Sequence, residues 1–97
     1  MLSGDADIFD AVASGLGEIG HWIASYHDLA LDPDIDEEKR MDEMERLQNL
    51  LESHDGWSLQ QKVEQILTKM NLPGDQKVAG LSGGWLRRVS LARALVC

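Results

Sequence analysis

Apolar residues at Ile8, Phe9, Val12, Leu16, Ile19, Trp22, Ile23, Tyr26 and Leu29 return at steps of three and four, the period of an amphipathic helix. Asp7 stands where such a helix takes its N-cap. Gly15, Gly17 and Gly20 interrupt the stripe, and each costs about 1 kcal/mol relative to alanine inside a helix. The middle of this segment is therefore expected to bend, fray or lie close against another backbone.

Leu31-Asp32-Pro33-Asp34 breaks the period, because proline has no amide hydrogen to continue a helix and restricts the residue before it. A second helix is predicted to open at Pro33 or Asp34, with Asp36, Glu37 and Glu38 near the positive end of its dipole. Met41, Met44, Leu47, Leu50 and Leu51 give it a narrow apolar stripe, suited to one neighbouring helix more than to a broad core. His54-Asp55-Gly56 ends it. Ser58 with Gln61 reads as a capping box opening a third helix, whose buried face is Leu59, Val63, Ile66, Leu67 and Met70.

Asn71, Pro73 and Gly74 stop that helix, and a polar connection through Asp75, Gln76 and Lys77 leads to Val78 and the loop Gly80 to Gly84. Leu86, Val89, Ala92, Ala94, Leu95 and Val96 then predict a fourth helix. No alternating run of convincing length suggests a strand. The expected class is all-α, about four helices in an antiparallel hairpin or bundle arrangement.

Ninety-seven residues allow one domain with a modest core. The uncharged stretches are too short and too polar to cross a bilayer, which takes about 20 apolar residues. Gly4, Asp5 and Asp7 after Met1 do not resemble a secretory leader, so a cytoplasmic location is expected. The charge is uneven. Residues 1–55 hold fifteen acidic side chains against Lys39, Arg40 and Arg46, net −12, whereas residues 56–97 set six basic side chains against Glu64 and Asp75, net +4. The acidic part argues against a self-contained nucleic-acid-binding module. Most of these carboxylates read as a solvated helix face.

His21, His27 and His54 fit no common zinc spacing, and the lone Cys97 offers no second thiol. The histidines read as solvated or capping groups, the methionines Met41, Met44 and Met70 as seam filling, and no metal ligand or catalytic residue is assigned. Glu52 and Glu64 read as surface positions.

The loop Leu81-Ser82-Gly83-Gly84 before a helix is different. The first turn of a helix has unpaired N–H groups and a partial positive charge, glycines permit close approach, and Ser82 adds a hydroxyl, so the corner suits a phosphate. SGG alone is commonplace as a cap. Its continuation is specific: LSGGWLRRVSLARAL, Leu81 to Leu95, resembles the signature segment of ABC-type ATPases along its length, with Arg88-Val89, Ser90 and Leu91-Ala92-Arg93-Ala94-Leu95 at the family's spacings. Trp85, where many transporters carry glutamine, resembles the ABC-F branch. Upstream, Tyr26-His27-Asp28, a charged second helix and His54-Asp55-Gly56-Trp57 are similar to its Uup-like members.

The resemblance implies that residues 1–97 form one helical subdomain carrying the signature, with 1–55 an acidic arm-like part and 56–97 the third helix, signature loop and signature helix. It implies that Ser82, Gly83, Gly84 and Trp85 bind ATP held on a partner nucleotide-binding domain, Ser82, Gly83 and Gly84 facing its γ-phosphate. Arg88 and Arg93 would act mainly as scaffolding through ion pairs. The chain contains no GxxxxGK[ST] phosphate loop and no Asp-Glu strand end, so ATP hydrolysis with magnesium is expected of the parent protein and not of the chain alone. A phosphate loop upstream and the Asp-Glu strand downstream are the corresponding expectations. The ribosome is an expected partner of the parent by family resemblance; a membrane is not. The alternatives are a piece of a transporter's ATPase subunit, or an acidic helical interaction module without nucleotide function.

Overall fold

The computed structural model describes residues 6–96. Cys97 and the leading residues Met1, Gly4 and Asp5 lie outside the described residues. Five α-helices follow one another: α1 Ile8–Ala13, α2 Glu18–Leu31, α3 Glu37–Ser53, α4 Gly56–Lys69 and α5 Gly83–Leu95, with a 3-10 turn Ser14–Leu16 between α1 and α2. The class is all-α among the described residues, with one helix more than the periodicity suggested. The extra helix comes from the glycine cluster. The backbone at Gly17 takes φ +67° and ψ −135°, which stops the first helix and starts the second in a new direction.

All six residues of the short α1 are buried, so it is the centre about which the others pack. Ile8, Phe9 and Val12 meet Ile23 of α2, Leu51 of α3, Val63 and Leu67 of α4, Leu72, and Val89, Ala92 and Val96 of the last helix and its cap. At about 25 cal/mol per Å² of apolar surface, fully burying one such side chain contributes roughly 1.5–3 kcal/mol. The core crosses residue 55, where the charge changes sign, and joins the acidic and basic parts.

A helix this short and buried needs its first N–H groups satisfied. Asp7 accepts from the Asp10 amide at 2.9 Å, as its N-cap position predicts. The Ile8 and Phe9 amides donate to the carbonyls of Gln76 and Gly74, and the Val78 amide to the Ala6 carbonyl. The connection after α4, polar in sequence, is therefore held alongside the entry to α1, with a single antiparallel bridge between Asp7 and Lys77.

α2 and α3 form an antiparallel hairpin. Arg40 holds its closed end: the guanidinium donates to the Leu29 carbonyl at 2.6 Å and to the Asp32 carbonyl, supplying partners for the last carbonyls of α2. α3 starts at Glu37 with Asp36 before it, later than Pro33 or Asp34, because residues 32–36 are used in the turn and Asp32 accepts from the Asp34 amide. Of its stripe, Leu47 and Leu51 are buried, whereas Met41 is 64% exposed. The helix thus enters the core only at its C-terminal end.

α4 starts two residues before the predicted capping box. Asp55, in the left-handed region at φ 56°, is its N-cap position; Ser58 lies inside the helix and its hydroxyl donates to Asp55 Oδ1 at 3.1 Å. Gly56 sets this start. It is buried against Leu51, where a Cβ would fall 2.4 Å from Cδ2. In α5, Val89 and Ala92 are buried, but Leu86, Leu91 and Leu95 are 41–54% exposed, so only part of the apolar set read from the sequence faces the core.

Candidate functional site

Val78 to Ser82 carry the chain from its pairing with α1 to the start of α5. Gly80 turns at φ +86°, a conformation that side chains disfavour. The Leu81 amide donates to the Val78 carbonyl at 3.2 Å and Leu81 packs on the core, which fixes where the loop leaves the body of the protein.

Ser82 is extended (φ −66°, ψ 163°) and is the N-cap of the 13-residue α5. Its hydroxyl oxygen accepts from the Trp85 amide at 3.5 Å, and its carbonyl accepts from the Leu86 amide at 3.0 Å. Ser82, Gly83 and Gly84 are exposed. A Cβ built at Gly83 or Gly84 would meet nothing within 4 Å, so the backbone here faces open space. The first turn of α5 contains no acidic residue. Helix geometry leaves the Gly83 and Gly84 amides without intrahelical acceptors. An exposed helix start of this length, with two glycines, a serine and no carboxylate, can receive an anion.

Trp85 follows at 37% exposure. The Arg88 guanidinium lies over its ring, 4.8 Å from the centroid, and also donates to the Met70 carbonyl at the end of α4. Arg88 thus bridges a helix C-terminal carbonyl and an aromatic face. Arg93 lies on the opposite end of α5 and helps line a cleft with Asp10, Ser14, His21, Ser25 and Asp28.

A second group of polar residues meets beside that cleft, where α2 crosses the start of α1. Asp7, Asp10, His27 and Asp28 each offer a ligand-type atom within 4.8 Å of the rest. Asp7, the cap of α1, and Asp10, inside it, are both buried. His27 Nε2 lies 3.2 Å from Asp7 Oδ2, and its ring stacks on Phe9 with centroids 4.4 Å apart. Burial, a hydrogen bond with Asp28 and the neighbouring Asp7 charge push the Asp10 carboxyl up to about 8. Spacing along the chain does not reveal this group, because His27 meets Asp7 only when α2 folds back over α1. A usable signal was present: Asp10 interrupts the otherwise apolar run from Ile8 to Ala13. The other histidines behave as the sequence suggests. His54 Nδ1 is 2.9 Å from the Leu50 carbonyl at the end of α3, and His21 is exposed.

No family model matches the chain, and no solved structure matches it. Curated relatives do. The ATP-binding protein Uup of Haemophilus influenzae is 38% identical over 92 residues, 94% of this chain and 14% of the relative. The ATP-binding protein Uup of Escherichia coli is 33% identical over 93 residues, 95% of this chain and 15% of the relative. The energy-dependent translational throttle protein EttA of Escherichia coli is 42% identical over 69 residues, 70% of this chain and 12% of the relative. The chain thus spans about one-seventh of the length of the Uup proteins it matches.

Proposed function

The chain belongs to the ABC-F ATP-binding proteins as a segment homologous to Uup and EttA, and from that premise we propose that its Leu81 to Leu95 stretch is the signature element of a composite ATP site. Ser82, Gly83 and Gly84 donate to the γ-phosphate of ATP held on a partner nucleotide-binding domain, and the dipole of α5 adds to the attraction. Trp85 lies against the same nucleotide. The observation that carries this reading is the geometry of the α5 start: a serine cap, two glycine positions facing open space and a first turn free of carboxylates.

The chain supplies one side of the site. The phosphate loop, the magnesium ligands and the catalytic carboxylate belong to other parts of the parent protein, which hydrolyses ATP as a whole while this segment alone does not. The chain is read as a single helical subdomain within it, and the shared core of residues 6–96 supports that reading. The acidic 1–55 part is read as its arm-like portion, and the exposure of Met41 and the α3 carboxylates supports that reading. Translation appears in the name of the EttA relatives, and the ribosome is the partner proposed for the parent. No helix among the described residues is long and apolar enough to cross a membrane. A cytoplasmic parent is proposed from its kinship with the ABC-F relatives.

Ser82→Arg in the full-length protein tests the reading. The substitution puts a long cation where the phosphate approaches. ATP-driven pairing of the two ATPase domains should be lost while each domain still binds nucleotide. ATPase activity equal to that of the unaltered protein would refute the role assigned to the loop.

A further inference from the structure

Asp7, Asp10, His27 and Asp28 bring three carboxyl groups and one imidazole to a single place, and the group is built rather than accidental. Asp7 is fixed at the start of α1 by the bond its Oδ1 accepts from the Asp10 amide, leaving Oδ2 facing His27 Nε2 at 3.2 Å. Phe9 holds the imidazole plane by stacking at an interplanar angle of 26°. Asp10 is only 6% exposed, yet its Oδ1 is buried with no hydrogen-bond partner. A buried carboxyl oxygen left without a donor costs about 1–3 kcal/mol, and native structures rarely leave one. Asp28 is exposed and lines the open cleft beside Asp10, so the group is reachable from solvent.

We propose that these four side chains bind one divalent metal ion of the manganese or zinc class. The donor set is mixed, one borderline nitrogen with hard oxygens, which suits Mn²⁺ or Zn²⁺ better than Ca²⁺. With metal–ligand bonds of about 2.1 Å, neighbouring donors stand roughly 3.0 Å apart in an octahedron and roughly 3.4 Å apart in a tetrahedron. The 3.2 Å between His27 Nε2 and Asp7 Oδ2 falls between these values. The four ligand atoms lie within 4.8 Å of one another, against roughly 4.2 Å between opposite octahedral vertices, so the side chains draw in by roughly 0.6 Å on binding. The ion gives the Asp10 oxygen its missing partner and offsets the charge gathered at the start of α1. It also ties α1 to α2, the two elements separated by the Gly17 break. This site is independent of the ATP reading of the α5 loop.

The test uses the 97-residue chain with Cys97→Ser, stripped with EDTA and titrated with Zn²⁺ or Mn²⁺ alone by calorimetry. One ion per chain should bind, and Asp10→Asn and His27→Gln should each weaken it at least tenfold. Mn²⁺ added to the unaltered side chains should broaden the amide signals of residues 7–10 and 27–28 first, a readout that needs no variant at the site. Absence of saturable binding at millimolar metal overturns the proposal, as does first broadening elsewhere or unchanged affinity in both folded variants.

Discussion

Gly20→Ala sets local preference against tertiary contact at the start of α2. Alanine is favoured over glycine in a helix by up to about 1 kcal/mol, so propensity alone predicts a more stable protein. The fold predicts the reverse. Gly20 is buried, and a Cβ there would lie 1.9 Å from the Ala13 carbonyl oxygen, 2.8 Å from its carbonyl carbon and 3.1 Å from Leu16 Cβ. A comfortable carbon–oxygen contact is about 3.3 Å, so α1 and α2 must separate by more than 1 Å. The obstacle is backbone and not the tip of a flexible side chain, and Ala13 is fully buried in the core. Overpacking of this kind costs typically about 1–3 kcal/mol. After the propensity gain is set against the upper part of that range, a net loss of about 1–2 kcal/mol remains. Urea unfolding followed by circular dichroism measures it: with a slope near 1 kcal/mol per molar, the midpoint should fall by about 1–2 M. Gly84→Ala is the control, since nothing lies within 4 Å of its Cβ, and its midpoint should hold or rise. A Gly20→Ala midpoint equal to or above the parent's, with an unchanged slope, would refute the steric argument.

Leu51→Ala should destabilise by about 2–5 kcal/mol in the same assay, because Leu51 is fully buried where α3 meets α4; a loss under 1 kcal/mol would mean that this junction is loosely packed. Arg88→Met removes the bond to the Met70 carbonyl and the stacking on Trp85, which together contribute about 1–3 kcal/mol, and tryptophan fluorescence should report a changed Trp85 environment; an unaltered spectrum and midpoint would show that Arg88 does not hold α5 to α4. In metal-stripped protein, the contribution of Asp10 to stability should fall as pH rises from about 4 to about 8, because folding raises its carboxyl from 3.8 to about 8 and over that range the unfolded chain releases a proton that the folded state keeps. Asp10→Asn should flatten that decline, and thermal melts across the pH range will show whether it does. Asp7, His27 and Asp28 beside the same carboxyl, and His21 and Arg93 across the cleft, remain in the variant.

Much of the chain was legible in advance because its signals are local. Helix periodicity, the Asp7 cap, the Pro33 break and the run from Leu81 to Leu95 each lie within a few turns of chain, and the all-α class and the family resemblance follow from them. The serine cap of α5 is likewise a short-range feature, visible in the order Ser82-Gly83-Gly84. Boundaries were less legible where packing sets them: α4 begins at Gly56, tight against the buried Leu51, two residues before the capping box that Ser58 and Gln61 suggest.

What the sequence by itself determined is a set of amphipathic helices and a glycine-marked helix start with the spacing of an ATPase signature. Tertiary structure alone decided which apolar residues are core, since the stripe on α5 offers more leucines than the short α1 can cover. It also decided the use of the polar connection after α4, whose carbonyls become partners for the buried amides of α1. Above all it gathered Asp7, Asp10, His27 and Asp28. Their proximity depends on the reversal of the chain at Gly17, and side chains twenty residues apart become neighbours only when packing, rather than local preference, sets the direction of the second helix.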